Sequence, residues 1–180
     1  MKAVLDTCVI YPTVMREMLL GVAKAGGFQP LWSARIIEEW QRAATKLGSD
    51  GVAQAGAEAV LLKRDWPGAE VTWSPSLEAR LWLPDPADVH VLAAAVAGNA
   101  DVIVTLNAKD FPRGVLAEEG VSRADPDAFL MGLHAAQPEL VGQAADQVLA
   151  RANRLSGAPW EMRKLLKKAR LPRLGKALSR

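Results

Sequence analysis

Apolar residues recur along this chain in two rhythms. Short unbroken runs, Ala3-Val4-Leu5 and Val102-Ile103-Val104, read as strands buried on both faces, where no polar alternation is needed. Elsewhere apolar positions return every three or four residues, the helical period. Residues 11–24 form one such segment, stopped by Gly26-Gly27. Ser33 offers an N-cap to a second helix, with Ile36, Trp40, Ala43, Ala44 and Leu47 as its apolar stripe. The stretch from Gly48 to Gly51 breaks that helix, and residues 52–66 make a third, ended by Pro67-Gly68. Residues 70–73 are a short strand candidate. Asp85-Pro86-Ala87-Asp88 then opens a helix that runs to Ala97 and closes at Gly98-Asn99, before a strand over 101–105.

Strands alternating with helices predict an α/β fold, a parallel sheet with helices on both faces and right-handed crossovers. From Asp125-Pro126 onward only helical patterns remain, cut into pieces by Pro138, Gly157-Ala158-Pro159 and Pro172. The predicted organisation is an α/β body over 1–124 and a C-terminal helical extension over 125–180. No internal repeat or low-complexity tract interrupts it.

Composition narrows the setting. At 180 residues and 50% hydrophobic content the chain can bury a full core. A single cysteine, Cys8, excludes an internal disulfide and suits a reducing cytoplasm; with no histidine near it in sequence, it reads as a small packed residue and not a nucleophile. The apolar start is interrupted by Asp6, Arg16 and Glu17, which fits neither a signal peptide nor a membrane span. Charge is segregated. Residues 1–150 hold 12 Lys and Arg against 19 Asp and Glu, whereas residues 151–180 hold 10 basic residues against Glu161 alone. Such a cationic tail is a handle for a polyanion or a dock for an acidic surface.

Five acids, Asp6, Glu39, Asp85, Asp88 and Asp110, stand at four places that the alternating elements can bring together. Asp6 closes the first strand, and in open parallel sheets ligands bind beyond the carboxyl ends of strands. On the second helix, at about 100° per residue, Glu39 flanks the apolar stripe while Glu38 lies nearly opposite it, so Glu39 can face a cleft; a partly exposed helix charge is the plainer alternative. Asp85 has a sufficient structural role as a helix cap followed by proline, a signature repeated at Asp125-Pro126-Asp127. Asp88 falls on the side of Val89, Leu92 and Val96, and an inward carboxylate is costly unless paired or metal-bound. Asn107 and Asp110 lie in the loop after the second buried strand, where both also suit a turn. His90 is expected to point away from the inward face and His134 lies in the extension, so neither is taken as a metal ligand. The six tryptophans read as core or edge packing, with Trp160 at the start of the basic tail.

Together these residues resemble the PIN-domain ribonucleases, above all the VapC-type toxins of bacterial toxin–antitoxin pairs. The resemblance rests on Val4-Leu5-Asp6-Thr7, on Ser33 followed by Glu39, on Asp85-Pro86-Ala87-Asp88 with Leu92-Ala93-Ala94-Ala95, and on Val104-Thr105-Leu106-Asn107-Ala108-Lys109-Asp110-Phe111. It covers roughly the first two thirds of the chain. It implies Asp6, Glu39 and Asp88 as the principal metal-binding acids, with Asp85 as an additional one. Asn107 stands where many members carry a fourth aspartate, and Asp110 is the substitute the resemblance suggests. Thr7 and Thr105 match hydroxyl residues that orient a neighbouring acid.

Carboxylates without cysteine or histidine select a hard cation such as Mg²⁺ or Mn²⁺. The implied activity is metal-dependent hydrolysis of RNA phosphodiester bonds, with a cognate antitoxin protein as partner and pairing as a homodimer. In the tail, Met162, Leu165, Leu166 and Ala169 form an apolar stripe, while Arg163, Lys164, Lys167, Lys168, Arg170 and Arg173 supply candidate contacts to an RNA backbone. A non-catalytic PIN-fold module that binds RNA or a partner is the rival reading, kept open by Asn107. A phosphotransferase of the haloacid dehalogenase type also begins with a strand-end aspartate, but it needs a second acid two residues on, where Cys8 stands.

Overall fold

Two apolar runs decide the centre of the sheet. In the computed structural model, which describes residues 1–179, Ala3, Val4, Ile103 and Val104 have no exposed surface. The elements follow in chain order as β1 (Lys2–Leu5), α1 (Thr7–Ile10), α2 (Thr13–Lys24), β2 (Gln29–Leu31), α3 (Ala34–Ala44), α4 (Gly48–Asp65), α5 (Pro75–Arg80), α6 (Val89–Ala97), β3 (Val102–Val104), α7 (Arg113–Glu118), β4 (Ser122–Ala124), α8 (Pro126–Ala136), α9 (Pro138–Leu155), α10 (Met162–Lys168) and α11 (Pro172–Ala177). Single 3-10 turns lie at Thr45–Leu47 and Pro86–Asp88.

The four strands line up as β2-β1-β3-β4. β1 is parallel to both neighbours, with Val4 opposite Leu31 on one side and Ile103 on the other. Parallel neighbours require crossover connections, which the intervening helices supply. The α/β expectation therefore holds, and the carboxyl ends of β1 and β3 are brought side by side.

The chain divides into two compact units. The sheet unit contains Met1–Tyr11 and Gln29–Arg123; the helical unit contains Pro12–Phe28 and the chain from Ala124 onward. Within the helical unit α2 packs along α9 and also meets α8. A methyl group at Gly21 would stand 3.4 Å from the Ala144 side chain, so these two helices approach closely. Phe28 meets Phe129 edge to face at 4.9 Å.

Caps fall where the sequence places them. Ser33 accepts from Ile36 N–H at the start of α3, and Asp125 accepts from Asp127 and Ala128 N–H at the start of α8. Asp127 is more than a first-turn acid. It is 4% exposed, and its oxygens accept from Arg173 N–H at 2.9 Å, Leu174 N–H at 3.0 Å and Arg173 Nε at 3.3 Å. A helix 46 residues downstream, α11, thus has its first N–H groups satisfied by α8. Asp127→Ala strands the buried Leu174 N–H and the part-buried Arg173 N–H, and it is expected to lower the unfolding free energy by about 2 kcal/mol; thermal and urea melts followed by circular dichroism check this.

Several expectations give way to packing. Residues 70–73 form no strand; Glu70 makes an isolated bridge with Trp32, and Val71 N–H donates to Trp32 O at 2.8 Å. Leu47 lies outside the apolar stripe of α3, 65% exposed in the 3-10 turn. Only Gly48 breaks the chain there, with φ of 79°, while Gly51 is inside α4. Trp32 and Trp40 are buried, but Trp82 is 63% exposed and packs in no core. The three-residue strands β2 and β4 and the short helices α1, α5 and α7 carry too few residues to show a period.

Candidate active site and metal centre

Asp6, Glu39, Asp85, Asp88 and Asp110 all belong to the sheet unit. Asp6 follows β1 directly, and its N–H donates to Val104 O at 3.2 Å, which ties it to the end of β3. Its carboxylate is buried, at 7% exposure. One oxygen accepts from Thr105 Oγ1 at 2.7 Å and from Cys8 Sγ at 3.1 Å. Thr105 in turn accepts from Asn107 N–H at 2.9 Å, which shapes the loop after β3.

Glu39 is held from three sides. Thr7 Oγ1 donates to one oxygen at 3.0 Å; His90 Nε2 and Arg35 Nε approach the other at 3.0 and 3.4 Å. Glu38 is exposed, as the helix geometry predicts. Asp85 caps the 3-10 turn by accepting from Ala87 N–H at 2.9 Å, and it also joins a cluster. Asp85, Asp88 and Asp110 each present a carboxylate oxygen within 4.8 Å of the others. Asn107 Nδ2 donates to Asp88 at 3.0 Å. Asp110 caps nothing; Pro112 precedes α7.

Charge links this trio to the two remaining acids. The Asp88 carboxyl is pushed up from 3.8 to about 6, first by burial and then by the charges of Asp6, Asp85, Asp110 and Glu39. Asp6 and Glu39 therefore lie within electrostatic reach of the cluster. A group whose folded pKa is raised contributes stability that is complete below its unfolded value and is lost as pH rises through the folded one. In metal-free buffer, Asp88→Asn is expected to match the wild type near pH 4 and to become the more stable protein as pH climbs through 6. Paired melting curves across that range check the sign, and a constant difference would contradict it.

Donor chemistry fits a hard divalent ion. Every group in the cluster is a carboxylate oxygen. The Cys8 thiol is pushed up to about 12, by burial and then by the Asp6 charge, and so offers no thiolate for a softer metal.

A family model described as PIN domain matches residues 2–109, more than half of the chain. The chain belongs to the PIN-domain family. No curated protein and no solved structure matches it. PIN domains are generally metal-dependent nucleases, and this one carries a three-acid cluster that fits such a metal. The match ends one residue short of Asp110.

Three further side chains, one of them unread in the sequence, enter this PIN domain's site. Arg35 sits four residues before Glu39, the spacing of a helical ion pair, which was the available signal. It also reaches Ala87 O at 3.3 Å and Glu78 at 3.5 Å. Cys8 packs beside the strand as expected, yet it is a donor to Asp6 and accepts from Leu106 N–H at 3.2 Å. His90 is the clear correction. Far from pointing outward, it is 1% exposed and turned toward Glu39. Residues Val89 to Ala95 are all buried, so α6 has no outward face from which an orientation could be inferred. Burial, ahead of the neighbouring charges, lowers the His90 pKa. The neutral ring donates through Nε2, and Nδ1 has no hydrogen-bond partner among the described residues.

The six tail cations are elsewhere, in the helical unit. Lys164 pairs with Glu161 at 3.0 Å, Lys168 lies over the Trp160 ring at 4.9 Å, and Arg170 occupies a turn with φ of 61°. Arg163, Lys167 and Arg173 line one groove. His134, on α8 in the same unit, is half-buried. Among the described residues no helix is long and apolar enough to cross a membrane.

Proposed function

We propose that this PIN domain is an Mg²⁺- or Mn²⁺-dependent endoribonuclease, with Asp6, Glu39, Asp88 and Asp110 as catalytic acids and Asp85 as a further metal ligand. The observation that carries the reading is the meeting of Asp85, Asp88 and Asp110 oxygens within 4.8 Å, with Asp6 and Glu39 adding charge to the same place. Like charges gathered so closely repel one another, and a divalent ion relieves that repulsion. When bound, the ion supplies an activated water and offsets the charge that builds on the phosphate.

The residues of the chain divide the remaining work. Thr105 and Cys8 fix the Asp6 carboxylate, Thr7 and His90 fix Glu39, and Asn107 fixes Asp88, so these three carboxylates are held before any ion arrives. Asn107 acts as this tether, and Asp110 takes the fourth acidic place that Asn107 leaves open. Arg35, held beside Glu39 at 3.4 Å, would offer its guanidinium to a phosphate oxygen.

The biological setting we infer is cytoplasmic: a toxin of the VapC type, restrained by a cognate antitoxin and paired as a homodimer. Purified protein is expected to cut single-stranded RNA with Mn²⁺ or Mg²⁺ and not with EDTA. Titrating Mn²⁺ should raise the melting temperature progressively, because an ion that binds only the folded state stabilises it by mass action. A flat melting temperature together with no cleavage would favour the non-catalytic binding module instead.

A further inference from the structure

α10 and α11 form a tight hairpin. Arg170, in the left-handed region, turns the chain, and Leu171 N–H donates back to Leu166 O at 2.8 Å. Gly175 permits the close approach of the two helices. A methyl group there would stand 3.1 Å from the Leu166 side chain and 3.3 Å from Arg163 O. Leu165, Leu166, Leu171 and Leu174 are buried inside. What remains outside is a groove of about 320 Å³ lined by Arg163, Lys167, Pro172, Arg173 and Lys176.

The lining has four cations and no acid. Among the described residues no carboxylate pairs with Arg163, Lys167 or Lys176. Arg173 is aimed from behind by the buried Asp127, which holds both its backbone N–H and its Nε. Like charges side by side repel, so a groove built this way is relieved by an anion. Its volume exceeds one water's share of about 30 Å³ roughly tenfold, which suits a phosphodiester segment better than a single small ion.

We propose that this groove is a phosphate-backbone site for RNA. The identity of the polyanion rests on the ribonuclease reading. Two guanidinium forks match phosphate oxygens in pairs, and two lysines add point charges. An acidic protein partner fits less well, because protein interfaces centre on aromatic anchors and no aromatic residue lines the groove. A membrane surface fits less well again, since the hairpin turns its leucines inward and keeps no apolar face to insert. The proposed site takes its cations from the groove's lining. Lys176 joins Arg163, Lys167 and Arg173, whereas Lys164 and Lys168 have other partners.

The test is equilibrium binding of a fluorescein-labelled single-stranded RNA of about 30 nucleotides to the full chain in EDTA, followed by anisotropy between 50 and 200 mM KCl. The informative variant is Arg163→Gln/Lys167→Gln/Lys176→Gln, which spares the Arg173–Asp127 contact. Lys46→Gln/Arg64→Gln removes exposed charge from the sheet unit as a control. For the triple variant, affinity at 50 mM KCl is expected to fall roughly tenfold or more, and the salt slope to drop by about 2, near 0.7 per lost phosphate contact. The control should keep the wild-type slope. The proposal is overturned if the triple variant, with an unchanged melting curve, binds RNA like the wild type. It also falls if the wild type binds no RNA, or if polyglutamate of equal charge competes as well as unlabelled RNA. Cleavage plays no part in this readout. A protein that cuts RNA with an intact-binding triple variant loses the groove and keeps the nuclease; one that binds through the groove and never cuts loses the nuclease alone.

Discussion

Asp88→Asn is expected to reduce metal-dependent RNA cleavage by roughly 10³-fold or more, at least about 4 kcal/mol of lost transition-state stabilisation. The change is nearly isosteric and removes the one charge shared by the whole cluster. Asp88 feels Asp6, Asp85, Asp110 and Glu39 at once, so its loss weakens the grip on a divalent ion more than the loss of the exposed Asp85 would. Fold should survive, because the Asp88 carboxyl is pushed up to about 6 and the empty site gains by losing a charge. The paired measurement is therefore cleavage rate with Mn²⁺ and melting temperature in EDTA. Full activity in the variant would overturn the site; a collapsed melting temperature would mean that Asp88 is structural. Asp6→Asn is expected to behave alike in cleavage, with the added loss of a charged acceptor for Thr105 and Cys8.

Ending the chain after Ala124 is expected to yield a protein that binds hydrophobic dyes and precipitates, instead of a freestanding α/β body. Helix α2 lies early in sequence but belongs to the helical unit, packed on α9 and α8. Its Met15, Met18, Leu19 and Val22 are completely buried, and each large side chain returned to water costs about 1.5–3 kcal/mol. Phe28 would lose Phe129 as well. A soluble, cooperatively melting product of residues 1–124 would contradict this. So would equal dye binding by the truncated and full chains.

That second expectation shows where sequence reading stops. Strands β1 and β3 were legible because three consecutive apolar residues covered on both faces leave an unbroken run, and α3 because Ser33, Ile36 and Trp40 announce both its start and its inner side. The period of α2 was equally plain, but periodicity tells which face is buried and not what buries it. Asp6 and Glu39 could be placed from strand end and helix angle. The tethers could not. Thr7 meets Glu39 32 residues away, and Thr105 meets Asp6 across 99. His90 defeated the angular argument because α6 is apolar all round, and Asp127 looked like a second copy of Asp85 until α11 was seen resting on it.

Parallel pairing of β1 with β3 has a further consequence, in time. Asp6 is made well before its partners: its threonine tether and the last acid of the cluster, Asp110, follow about a hundred residues later. At ordinary elongation rates of about 5–20 residues per second, the nascent chain spends many seconds without a complete set of ligands. The full set of proposed ligands is therefore absent until the loop after β3 has been made.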